Sequence, residues 1–77
     1  NPFNPITSIE YSIPSDGYVQ VEIINNSGQR VDTLVDGYMR RGSHVATWNA
    51  QNHSTGIYYY RFRFGGFSDV KKMLLLK

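Results

Sequence analysis

The sequence has no cysteine, which removes disulfides and thiolate chemistry and argues against a small eukaryotic secreted module, where such staples are usual. A bacterial extracellular protein stays open. Charge is scarce: eight basic and six acidic residues give a formal net charge of +2. They are interspersed apart from Arg40-Arg41 and Lys71-Lys72, so no concentrated patch exists for nucleic acid. No apolar run approaches the roughly 18 residues of a membrane helix, and no signal-peptide pattern is present. No window sustains a 3.6-residue apolar period, which excludes a helical bundle. An initiator Met is also missing. The opening Asn1-Pro2-Phe3-Asn4-Pro5 reads as the interior of something longer, so the expectation is a single domain, residues 1–77, excised from a larger protein.

Chemical constellations are missing too. His44 and His53 lack metal-ligand spacing and have no cysteine or carboxylate cluster beside them. His44 is expected on an inner face with Trp48, as a satisfied core or interface residue, and His53 in a solvated loop. Asp32 and Asp36 fall in a strand and a turn, not on one helical face. Ser27-Gly28 and Ser54-Thr55-Gly56 read as turns, with no nucleophile elbow around them. Gly65-Gly66 is not followed by a helix, so it is no phosphate loop. No catalytic, metal or cofactor site is expected, and the chain is not expected to be an enzyme.

What the sequence does contain is alternation. Ile9, Tyr11 and Ile13 alternate with Ser8, Glu10 and Ser12 in a strand over residues 6–13, stopped by Pro14-Ser15-Asp16-Gly17. Residues 18–25 follow, with Val19, Val21 and Ile23 inward and Gln20 and Glu22 outward. After a turn at Asn25-Asn26-Ser27-Gly28, residues 29–35 carry Val31, Leu34 and Val35 at uneven spacing, which predicts a bulge or an edge strand. Residues 36–42 read as a glycine-bounded loop, residues 43–48 as a strand and residues 49–55 as a polar loop.

The closing stretch organises the rest. Tyr58, Tyr60, Phe62 and Phe64 share one face of a strand, and Ile57, Tyr59, Arg61 and Arg63 the other. Gly65-Gly66 marks a two-residue hairpin turn. The returning arm, residues 70–76, is apolar on both faces, with Leu74 and Leu76 on one and Met73 and Leu75 on the other. Lys71-Lys72 precede these residues and Lys77 follows them. Six or seven short strands separated by turn signals predict an all-β chain, an antiparallel β-sandwich. Trp48 is expected in its core near Tyr58, Tyr60 and Phe62. Tyr59, outward-facing beside Arg61 and Arg63, is the one candidate sugar contact, and its blander reading is cover for the outer sheet.

Several stretches together resemble the C-terminal sorting domains of the bacterial type IX (Por) secretion system. They are Asn1-Pro2-Phe3-Asn4-Pro5, Ile9-Glu10-Tyr11-Ser12-Ile13-Pro14, Asn26-Ser27-Gly28-Gln29-Arg30-Val31, Leu34-Val35-Asp36-Gly37, Gly42-Ser43-His44 with Trp48-Asn49, Ser54-Thr55-Gly56-Ile57-Tyr58-Tyr59-Tyr60, and Lys71-Lys72-Met73-Leu74-Leu75-Leu76-Lys77. The resemblance spans essentially the whole chain. Where the family often has Trp-Asp-Gly, this chain has Trp48-Asn49-Ala50, a change that touches a turn. The resemblance implies an immunoglobulin-like sandwich at the C-terminus of a passenger protein exported from the periplasm to the cell surface or beyond. Outer-membrane secretion components and a sortase-like peptidase would be its partners. Lys71, Lys72, Met73, Leu74, Leu75, Leu76 and Lys77 are the candidate recognition element, an apolar strand bordered by positive charge. The other readings are a carbohydrate-binding module through Tyr59 and a structural or adhesion sandwich appended to an extracellular enzyme.

Overall fold

Val19, Val21 and Ile23 are fully shielded from solvent, and the chain is arranged around them. In a computed structural model, which describes residues 6–76, the strands are β1 (Ile6–Ile13), β2 (Gly17–Asn25), β3 (Arg30–Met39), β4 (Gly42–Asn49), β5 (Gly56–Phe64) and β6 (Phe67–Leu75). There is no helix among the described residues. β1 and β4 make a two-stranded antiparallel sheet, and the other four strands make an antiparallel sheet in the order β3-β2-β5-β6. The chain crosses between sheets after β1, β3 and β4, while β2–β3 and β5–β6 are hairpins. This is an all-β architecture of six strands, compatible with an immunoglobulin-like sandwich.

The core lies between the sheets, because period-2 side chains from both converge there. Ile9, Ile13, Ala46, Trp48 and Ala50 come from one layer, and Val19, Val21, Ile23, Tyr58 and Leu75 from the other. Trp48 is 1% exposed and meets Tyr58 edge-on at 5.2 Å. Its indole N–H donates to Asp32 Oδ2 at 3.2 Å, so the buried donor is satisfied. Tyr60 and Phe62 pack against the same core, Phe62 further along β5 beneath Tyr11 at 5.4 Å. The Ala50 methyl is fully buried, so the Trp48-Asn49-Ala50 corner puts a side chain into the core. Two bonds hold that corner, His53 N–H to the Ala50 carbonyl and Gln51 N–H to Asn49 Oδ1.

Two expectations are corrected. Residues 36–42 are not a loop, since β3 continues through Met39 and only Arg40-Arg41 connect it to β4. Tyr18 pairs with Tyr38 and Val19 with Gly37, so a full ladder against β2 overrides the turn character of Asp36-Gly37. The predicted irregularity is present on β3: opposite Val21/Glu22 and Ile23/Ile24 the register shifts, leaving Leu34 and Val31 of β3 with no β2 residue across from them, and Leu34 and Val35 both pack against the core. His53 is not a solvated loop residue. It is half-buried and packs on Trp48 at 5.4 Å and Tyr58 at 6.2 Å, closing that end of the core.

The closing hairpin turns at Gly65-Gly66 as expected, and β6 starts at Phe67, earlier than residue 70. Gly65 has φ 57° and Gly66 does not, the pattern of a II′ turn that only glycine enters without strain at its first central position. Gly17 is needed for a different reason. A Cβ there would lie 2.6 Å from the Phe64 ring, so the absent side chain lets that ring fold over the start of β2.

Candidate recognition surface

Pairing with β5 splits the closing apolar run between two faces. Met73 packs against the core and Leu75 is 5% exposed, so these two belong to the interior. Leu74 and Leu76 point the other way, 64% and 72% exposed, in line with Lys72 and a half-exposed Val70. Lys71 shares the inward parity of Met73 and is still exposed. Adjacent in sequence, Lys71 and Lys72 therefore do not form one patch. Lys77 and the opening Asn1-Pro2-Phe3-Asn4-Pro5 lie outside the described residues. Among the described residues no strand pairs with the outer edge of β6, whose backbone groups remain open to a further strand.

The outer face of the four-stranded sheet carries a feature that alternation alone does not foretell. Glu22 faces outward, yet its side chain is only 7% exposed, because three arginines close over it. Arg61 donates Nε and Nη2 to Oε1 at 3.2 and 2.9 Å, and Arg30 Nη1 approaches Oε2 at 3.3 Å. Arg63 Nη2 stands 3.6 Å from Oε1. The hydrogen bonds from Arg61 hold the Glu22 carboxyl below the usual carboxylate range, and its burial opposes them. The signal that could have found this cluster is Arg61-x-Arg63 facing Gln20-x-Glu22, but it needs β2 and β5 to be neighbours. Arg30 reaches Glu22 across the β2–β3 hairpin, within range of a sequence argument.

Tyr59 sits on this outer face between Ile24 and Lys72, half-buried in the row rather than projecting from it. At the β3 side, Tyr18 donates to Asp36 Oδ1 at 2.5 Å, and that bond pushes the phenol pKa up. Gln20 Nε2 approaches the same oxygen. His44 has the predicted facing but lies at the rim, half-exposed and stacked on Tyr11 at 5.3 Å. Its Nε2 donates to the Arg40 carbonyl at 2.6 Å, which fixes the proton on that nitrogen. An open cleft of about 530 Å³ beside this pair is lined by Glu10, Tyr11, Ser12, Ser43, His44 and Val45. Within it the His44 ring nitrogen is tied to backbone rather than to Ser12 or Ser43. Among the described residues no three His, Asp or Glu side chains gather as a metal site would require.

The described residues form a small sandwich with a charged, exposed sheet face and an edge strand, β6, that pairs with no other described strand on its outer side. Residues 1–76 match the family described as the secretion system C-terminal sorting domain, and the chain belongs to that family. It is a C-terminal sorting-signal domain of the type IX class. Neither the curated proteins nor the solved structures contain a match to it.

Proposed function

We propose that this domain directs an upstream passenger across the outer membrane through the type IX secretion system and on to attachment at the cell surface. Outer-membrane components of that system read the folded domain, and a sortase-like peptidase then exchanges it for a surface anchor. The role is one of recognition, with no catalysis by the domain. The observation that carries this reading is the family match over residues 1–76. The exposure of Leu74 and Leu76 on an edge strand supports placing the contact at β6, because buried Met73 and Leu75 anchor the strand while its other face stays free. Of the candidate recognition residues, Lys72, Leu74 and Leu76 form the contact on this reading, and Met73 and Leu75 hold it in place.

The test is a reporter passenger fused ahead of the chain in a bacterium with this secretion system. Leu74→Ser with Leu76→Ser should leave the melting temperature of the domain nearly unchanged while the passenger accumulates in the periplasm. Undiminished surface delivery by that variant would remove β6 as the contact.

A further inference from the structure

Glu22 is over-supplied with cations. One guanidinium suffices to pair a carboxylate, and here Arg30, Arg61 and Arg63 all lie within 3.6 Å of it. Crowding like charges has a Coulombic cost that a single ion pair would avoid. Arg30, Arg61, Arg63 and Lys72 on the next strand put four positive charges on this face against two negative, Glu22 and Asp36, which leaves an excess of two. Asp36 also accepts from Tyr18 and Gln20. Asp16 accepts from the Arg41 N–H, and Asp32 accepts from Trp48. Asp69 pairs with Phe62 and shares its inward parity, while Glu10 belongs to the other sheet. Arg63 and Arg30 keep 43% and 64% of their side-chain surface exposed, so their remaining N–H groups face solvent.

Apolar groups adjoin this charge. Ile57 pairs with Leu74 and Arg61 with Val70, so along β5 and β6 the outer face runs from apolar at Leu74 to cationic at Lys72, Arg61 and Arg63. Beside it lies the outer edge of β6, which no strand among the described residues pairs with. The geometry points to a partner polypeptide with an extended acidic segment, added along β6 with its carboxylates over Lys72, Arg61 and Arg63 and an apolar side chain against Leu74. A polypeptide fits better than an anionic membrane, because only a polypeptide uses the open backbone edge. Polybasic lipid-binding segments also carry about 4–8 clustered cations, and the four on this face are partly offset by Glu22 and Asp36. As a contact with the export machinery this inference rests on the sorting role, but the binding itself can be measured on the isolated chain.

The probe is a capped Val-Thr-Glu-Thr-Glu peptide, whose valine and glutamates share one face of a strand, titrated into the 15N-labelled 77-residue chain, with Val-Thr-Lys-Thr-Lys and phosphatidylglycerol vesicles alongside. The acidic peptide should shift the amide signals of β5 and β6, weaken with added salt, and bind at least tenfold less well to R63Q/K72Q. Those side chains are exposed enough for the variant to keep its melting temperature, which is checked first. Equal binding of both peptides, unchanged binding by R63Q/K72Q, or binding of vesicles alone overturns the proposal. So does normal export of a passenger fused to R63Q/K72Q, and in that case the sorting role stands with its contact elsewhere. If the parent chain fails to direct export while peptide binding keeps its charge dependence, the sorting role falls and the acidic-segment site is upheld.

Discussion

Trp48 and Glu22 illustrate two kinds of buried residue. Trp48 alternates with Ala46 and His44, so its inward facing follows from a period of two. Trp48→Ala should cost ~3–5 kcal/mol in urea unfolding, since it empties the largest buried volume and strips Asp32 of its donor. Glu22 alternates outward and is buried all the same, by side chains that reach it from β3 and β5. Nothing in its immediate sequence reveals that, because the burial is created by strand neighbours. Since pairing lowers the Glu22 pKa in the folded state, its contribution is fully present above the ordinary value of 4.5 and is lost as pH falls through the lowered one. Glu22→Gln should therefore lose about 1–2 kcal/mol at pH 7 and approach the parent in strongly acidic solution. Salt should narrow the gap by screening the stranded arginines. Urea midpoints measured across pH and ionic strength check both statements.

At the scale of elements, β6 carries opposite consequences on its two faces. Leu75→Ala should cost about 2–5 kcal/mol, whereas Leu74→Ser or Lys72→Glu should stay within about 0.5 kcal/mol, as thermal melts would show. The apolar character of both faces was plain from the sequence, but their allocation was not, because Met73, Leu74, Leu75 and Leu76 give a period-2 argument nothing to distinguish. β3 failed to show its full length for a related reason. Asp36 and Gly37 are turn formers in isolation, and only their pairing with Gln20 and Val19 makes them strand. The other strands lay close to where alternation placed them, and β1 matched end to end.

In the whole molecule β2 is the keystone, bonded to β3 on one side and β5 on the other and packed against the smaller sheet. Its central amides should exchange with solvent most slowly, and those on the outer edge of β6 fastest, in native-state hydrogen exchange followed residue by residue. Strand positions were legible from local pattern, whereas the pairings β1–β4 and β2–β5 were not, because they join segments far apart in the chain and local periodicity carries no partner information. That long-range pairing has a consequence for the order of synthesis. A ribosome that has reached the end of β4 has supplied one hairpin and the smaller sheet, with β2 lacking its β5 partner and Trp48 lacking Tyr58. Leu75, the last core side chain among the described residues, comes later still. The sandwich closes only after translation has passed that leucine, so a chain stalled or truncated before β6 lacks this part of the core, and whatever recognises the fold is thereby confined to chains read through β6.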